Sequence, residues 1–196
     1  MKEFQPFAME RYMSAHEQAV DYNLSESGVQ PLLLRELLDL KPGAQEQLLA
    51  VDLNYPHANG RPELRKNIAS MYQGADLENV LVTVGAIEGN YNSIRTLLNA
   101  GDEVVVMLPN YMQIWGIAKN HGLNVKTFKL KEEQQWAPDL EELEKITGSK
   151  TRLIAICNPN NPTGRILTDQ EMRAIVEIAE RSGAWILADE VYSGVE

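Results

Sequence analysis

The strongest constraint on this chain is an alternation that begins near residue 80, in which short apolar runs are each followed by a segment with helical spacing. An expected strand at Val80–Val84 leads through Gly85 into a helix with Ile87, Tyr91, Ile94, Leu97 and Leu98 turned inward, closed by Gly101 as a left-handed cap. The same beat continues through Glu103–Leu108, Tyr111–His121, Leu123–Leu130, Leu140–Ile146, Arg152–Cys157, Thr168–Arg181 and Ala184–Ala188. Thr168 and Glu171 have the spacing of a capping box, and Gly183 follows as the helix stop. Such alternation specifies an α/β fold with a mostly parallel sheet. Val104–Val106 and Leu153–Ile156 are unbroken apolar runs, so helices are expected on both faces, in three α/β/α layers.

Upstream the pattern is looser. Pro62 suits a first helical turn, with Leu64, Ile68 and Met71 on one face. Residues 1–44 hold Phe7, Tyr12, Met13 and His16 at helix-like spacing, then Leu24–Pro31, then an apolar helical run, Leu32–Leu40, stopped by Pro42 and Gly43. These residues are expected to form an N-terminal arm and crossover, the aromatic and Met stripe serving packing, with one large domain over 45–196. Glu132–Trp136 is expected to be a solvated loop.

Composition narrows the function classes. With 44% hydrophobic and 23% charged residues the chain is not disordered, and 196 residues suffice for one core. No apolar run is long enough to span a bilayer, and charges occupy the N-terminus where a signal peptide needs an apolar core, so a cytoplasmic location is expected. A net charge of −10 disfavours nucleic acid and anionic membranes as partners. Cys157 stands alone, which excludes an internal disulfide, and His16, His57 and His121 are too scattered to suggest a metal site.

In open α/β sheets ligands bind beyond the carboxyl ends of the strands. Gly85-Ala86-Ile87-Glu88-Gly89 matches no nucleotide-binding motif, and no G-x-S-x-G is present. The turn can hold a phosphate dianion on the N–H groups of Ala86 and Ile87, and an ordinary strand-to-helix turn is the plain alternative. Asn158-Pro159-Asn160-Asn161-Pro162-Thr163-Gly164 follows an apolar strand, either as a proline-stiffened turn or as a loop aiming Asn161 at a ligand. Asp189 ends the last strand, where a carboxylate is costly without a cation or donors. An anion site, a carboxylate and hydrogen-bond donors converge on pyridoxal 5′-phosphate. Asp189 would keep its ring nitrogen charged, Asn161 and Tyr192 would donate to its phenolic oxygen, and Tyr111 would stack on the ring.

NPNNPTG (Asn158–Gly164) together with ADEVY (Ala188–Tyr192), with Asn161 and Asp189 separated by 28 residues, resembles the fold-type I pyridoxal-phosphate enzymes, specifically the class I and II aminotransferases. The resemblance implies the large domain of that fold, incomplete at its C-terminal end, and transamination between an α-amino acid and a 2-oxo acid. Lyases and cyclases of the same scaffold, or a non-catalytic binding module, are the alternatives. It also implies that Gly85, Ala86 and Ile87 form the phosphate cup and that Tyr111 is the stacking aromatic. The segment Asn54–Gly60 is similar to one whose tyrosine, here Tyr55, reaches the phosphate of the neighbouring subunit of a homodimer, while His57 is read as a surface imidazole. Gly28, in Glu26-Ser27-Gly28-Val29, corresponds to a loop lining the substrate. The family's Schiff-base lysine and the arginine that grips the substrate carboxylate fall beyond Tyr192, and no lysine of this sequence does. No catalytic residue is therefore expected here: the chain alone should hold half an active site, be inactive, and be poorly soluble through its open sheet edge. Cys157 is expected to be a buried small hydrophobe and Arg165 to be solvated.

Overall fold

Strands form at the unbroken apolar runs Val104–Leu108 and Leu153–Cys157 and at the alternating segment Asn124–Lys131, and they pair by register. In the computed structural model, which describes residues 4–195, β1 (Glu103–Leu108) lies between β2 (Asn124–Lys131) and β4 (Thr151–Cys157). β5 (Trp185–Asp189) closes one edge and the two-residue β3 (Ala137–Pro138) the other, in the order β3-β2-β1-β4-β5. All pairings are parallel except β2 with β3, and Val105 stands opposite Ile154, which stands opposite Ile186. Met1–Glu3 and Glu196, the ends of the expected arm and large domain, lie outside the described residues.

The chain divides into two compact units, one of Met1–Ala8 with Thr83–Glu196 and one of Met9–Val82. In the first, successive side chains of each strand point to opposite faces, so a continuous apolar run feeds two cores. Val104, Val106, Leu153 and Ala155 pack with Ile94 of α5 (Gly85–Leu97) and with Ile114 and Ala118 of α6 (Gln113–Asn120). Val105, Met107, Ile154 and Ile156 pack on the other face with Leu143 of α7 (Leu140–Ile146) and with Ile175 and Ile178 of α8 (Asp169–Ser182). Each such Val, Leu, Ile or Met side chain, fully removed from water, contributes about 1.5–3 kcal/mol. The capping box of α8 is formed by Thr168 and Glu171, and Gly183 ends the helix at φ 70°, a conformation that costs glycine no Cβ clash. Among the described residues no helix is long and apolar enough to cross a membrane.

Several local expectations are corrected. Val80–Val84 is not a strand: a 3-10 turn, Leu77–Asn79, precedes it, and the Val82 N–H is spent on the Asn59 carbonyl instead of a ladder. On α5 the buried row is Asn90, Ile94 and Leu98, while Ile87, Tyr91 and Leu97 are exposed, because positions four apart share the face turned to the sheet. α5 ends at Leu97, with Leu98 already extended; Gly101 (φ 95°) belongs to the next turn and donates to the Gly122 carbonyl. Glu132–Gln134 is a 3-10 turn, but Trp136 packs against the α7/α8 core instead of being solvated.

In the second unit, α1 (Ala8–His16), α2 (Leu34–Asp39) and α3 (Ala44–Leu49) contain no buried residue. Of the aromatic and Met stripe in this unit, Tyr12 is exposed with its ring 4.5 Å between centroids from that of His16, and Met13 is half-buried and accepts from the Ser25 hydroxyl through its sulfur. α4 (Pro62–Ala69) has Pro62 in its first turn as expected, yet buries Arg65 and Ala69 while Leu64 and Met71 stay exposed. The reason is polar. Arg65 donates from Nε to the Val80 carbonyl at 2.9 Å and from Nη2 to the Leu77 carbonyl at 2.5 Å, which turns that face of α4 inward.

Candidate active site

Three adjacent strands, β1, β4 and β5, end side by side, so the loops that leave them share one end of the sheet. β1 runs into Pro109-Asn110-Tyr111, β4 into Asn158–Gly164, and β5 stops at Asp189. The loops are tied to one another. Asn160 donates from Nδ2 to the Pro109 carbonyl at 3.1 Å and accepts from the Thr163 hydroxyl at 2.7 Å. Asn158 accepts from the Leu167 N–H through Oδ1 and donates its own N–H to the Asp189 carbonyl, both at 2.9 Å. Asn158 and Asn160 thus hold the loop, whereas no hydrogen bond among the described residues uses the side-chain amide of half-buried Asn161. The Asn161 N–H donates to Cys157 Sγ at 3.4 Å. Cys157 is buried, and that burial, with the charge of Asp189, pushes its thiol pKa up against the opposing effect of this N–H.

Asp189 is 8% exposed. Its Oδ2 accepts from Asn90 Nδ2 at 3.1 Å and its Oδ1 from the Val191 N–H at 3.3 Å. Asn90 Nδ2 also donates to Gln113 Oε1 at 3.0 Å, and Gln113 Nε2 to the Ile87 carbonyl at 2.9 Å. Sequence reasoning missed both amides. The available signal was positional: Asn90 precedes buried Ile94 and Leu98 in steps of four.

The N-terminus of α5 opens on Gly85 at φ 75°, in the left-handed region. Of the four N–H groups that a helix leaves without an intrahelical acceptor, that of Val84 goes to Glu88 Oε2 at 2.6 Å and that of Gly85 to the Thr83 carbonyl at 3.0 Å. Those of Ala86 and Ile87 remain, at an exposed turn, where the helix dipole favours an anion. Tyr111 and Tyr192 are half-buried, and Phe7 meets the Tyr111 ring edge-on with centroids 5.0 Å apart. Asn110 is buried and its Nδ2 finds no acceptor among the described residues. Arg165, expected to be solvated, instead forks onto Glu171 at 2.8 and 2.9 Å, with 22% of its side chain exposed. Burial would raise the Glu171 pKa, but the Thr168 N–H and Arg165 bring it below the ordinary carboxylate range.

The structure thus gathers Gly85, Ala86, Ile87, Tyr111, Asn161, Asp189 and Tyr192 in one unit. Tyr55 and Gly28 lie in the other. Tyr55 is fully exposed, with its N–H held by Asn54 Oδ1 at 2.9 Å, and the Gly28 N–H is held by Glu26 Oε1 at 2.8 Å. Among the described residues no group of three or more His, Cys, Asp or Glu is arranged to hold a metal. The donor set fits a different group: a ring with a basic nitrogen for a buried carboxylate, an oxygen acceptor for an uncommitted amide, and an anionic arm for two helix N–H groups.

Residues 40–196 match the family Aminotransferase class I and II. The chain belongs to that family. Its enzymes work with pyridoxal 5′-phosphate, and their fold-type I domain is present here in incomplete form. An aspartate aminotransferase from Pyrococcus horikoshii is 36% identical over 159 residues, covering 79% of this chain and 41% of the relative. A glutamate-pyruvate aminotransferase from Haemophilus influenzae is 33% identical over 147 residues, covering 72% and 36%. A PLP-dependent aminotransferase from Streptococcus suis superposes with a TM-score of 0.91 at 35% identity, over 98% of this chain and 52% of its own. The chain therefore spans about half, or less, of the aminotransferases it matches.

Proposed function

We propose that this chain is part of an enzyme that exchanges an amino group between an α-amino acid and a 2-oxo acid with the help of pyridoxal 5′-phosphate. One observation carries the reading: a buried carboxylate, Asp189, is hydrogen-bonded in place at the same sheet end as the Asn158–Gly164 loop and the anion-ready turn of α5. Family membership supports it. The relatives' names differ in amino donor, so the substrates are proposed as a class.

When bound, the cofactor supplies an electron sink for the pair left at the substrate Cα after loss of its proton. Asp189 would serve the ring nitrogen and favour its protonated form. The N–H groups of Ala86 and Ile87, reached past Gly85, would hold the phosphate. The Asn161 amide and the Tyr192 hydroxyl would donate to the phenolic oxygen, and the Tyr111 ring would stack on the cofactor. In a homodimer Tyr55 serves the phosphate of the second copy, and Gly28 lines the substrate loop. Residues 45–196 act as the N-terminal part of the cofactor-binding domain and 1–44 as its arm, in a cytoplasmic protein. The reading assigns no catalytic lysine to these residues, so the chain by itself is inactive.

The test uses the complete gene product, a panel of amino acids carrying an isotopic label on nitrogen, and unlabelled 2-oxo acids. Label is expected in a new amino acid, and only with the cofactor added. Release of ammonia or of a β or γ substituent in place of transfer would replace transamination with lyase or cyclase chemistry. Failure to retain the cofactor would leave a non-catalytic module.

A further inference from the structure

We infer that Asn90 and Gln113 are positioning residues that hold Asp189 in register with the phosphate-binding turn. The inference rests on the reading of Asp189 as the partner of the ring nitrogen. The hydrogen-bonded row runs from the Ile87 carbonyl through Gln113 and Asn90 to Asp189 Oδ2, in steps of 2.9, 3.0 and 3.1 Å. Both ends are candidate cofactor contacts. Ile87 offers its own N–H at the α5 turn, and Asp189 is the acid. The middle is tied to a third, since Gln113 stands two residues after Tyr111.

Chemistry fixes the direction of the row. A carbonyl and an ionised carboxylate only accept, so each amide must present its NH2 toward its own end, which leaves Gln113 Oε1 for the second proton of Asn90. Neither amide can flip without setting acceptor against acceptor. Both are more than nine-tenths buried, and they share the buried faces of α5 and α6 with Ile94, Ile114 and Ala118. An apolar pair would fill such a place without the cost of desolvating two amides. Satisfied buried networks do one thing that apolar packing does not: they select a single arrangement of the groups they join. Here the groups joined are the acid and the turn. Asn90 lies five residues along α5 from Gly85, about 7.5 Å of helix axis, so one rigid helix sets the spacing between the anion site and the donor that grips the acid.

The test separates positioning from structure with two ligands. In the complete gene product, equilibrium affinity is measured for pyridoxal 5′-phosphate and for its deaza analogue, which has carbon in place of the ring nitrogen. The ratio of the two affinities reads the contact at that nitrogen alone. Asp189→Asn is expected to collapse the ratio. Asn90→Leu is expected to lower it about tenfold, the scale of one hydrogen bond to a charged group, while affinity for the analogue holds. Gln113→Met, which keeps chain length, is expected to lower it less, and it decides the matter if the Asn90 variant does not fold. An unchanged ratio in the folded Asn90 and Gln113 variants, or equal loss of both ligands, overturns the inference while leaving the reading of Asp189 intact. An unchanged ratio in Asp189→Asn overturns that reading, and this inference falls with it.

Discussion

Both units carry apolar residues throughout, yet the sheet unit buries them and the unit of Met9–Val82 does not. Val104–Met107 and Leu153–Cys157 are almost wholly removed from solvent, whereas Arg65 and Ala69 are the buried residues described in the second unit and Leu53 is 97% exposed. A parallel sheet covered on both faces satisfies its backbone and its apolar side chains in the same act. Six-residue helices such as α2 and α3 fix backbone for few hydrogen bonds and present no face wide enough to close on itself. Order in the second unit therefore leans on directed polar contacts, above all those of Arg65.

The widest consequence is in amide exchange. Amides of β1 and β4 are expected to exchange slower by orders of magnitude than those of residues 9–55, since local opening draws on whatever packing lies around it. Mass spectrometry on the native chain reads this directly, and equal protection in the two regions would break the comparison. Next comes one substitution made twice. Leu153→Ala, in the core, is expected to cost about 2–5 kcal/mol, and Leu53→Ala no more than about 0.5 kcal/mol, as midpoint shifts in urea at constant slope. Smaller than the Leu153 effect is Arg65→Leu, which takes the side-chain donor from the Val80 carbonyl and leaves the Leu77 carbonyl with the Val80 N–H alone; about 1–3 kcal/mol is expected, confined to the second unit. Faster proteolytic cutting near residues 75–82, with exchange in β4 unchanged, is the signature.

The same contrast explains what could be read from the residues alone. β1, β4, β5 and α8 were legible because apolar runs and a capping box state local and tertiary demands together. The Asn158–Gly164 loop was legible because its prolines and asparagines have few other uses. The inward face of α5 was not, for a periodic stripe tells that a helix is amphipathic but not which of two adjacent rows meets the sheet. Asn90 and Gln113 drew no reading from the sequence, because the partners that bury them lie far along the chain. The inward face of α4 was misread for the same reason: Arg65 is turned inward by backbone carbonyls, which leave no mark in a sequence.

The smallest effect sharpens the comparison at the other end of the sheet. Glu103, at the start of β1, meets Lys126 of β2 at 2.8 Å and accepts from the Thr151 hydroxyl of β4 at 2.6 Å, so one carboxylate joins three strands. Burial alone would raise its pKa. The hydrogen bonds from Lys126 and Thr151, with the charges of Lys126 and Lys150, outweigh this and hold it below the ordinary glutamate value of 4.5. Because the folded value is the lower one, the unfolded chain takes up the proton first. The stabilisation is therefore complete above that ordinary value and is lost as pH falls below it, through the folded value. Urea midpoints of the sheet unit should fall with acid over this range, and Glu103→Gln should flatten the part of the slope that Glu103 contributes. Glu144 and Arg181 form a pair at 2.6 Å that is more than half exposed on both sides, and Glu144→Gln should shift the urea midpoint at neutral pH by no more than about 0.5 kcal/mol. If the two variants behave alike, the strand-joining carboxylate contributes no more than a solvated surface pair, and the advantage of the sheet unit lies in its apolar packing alone.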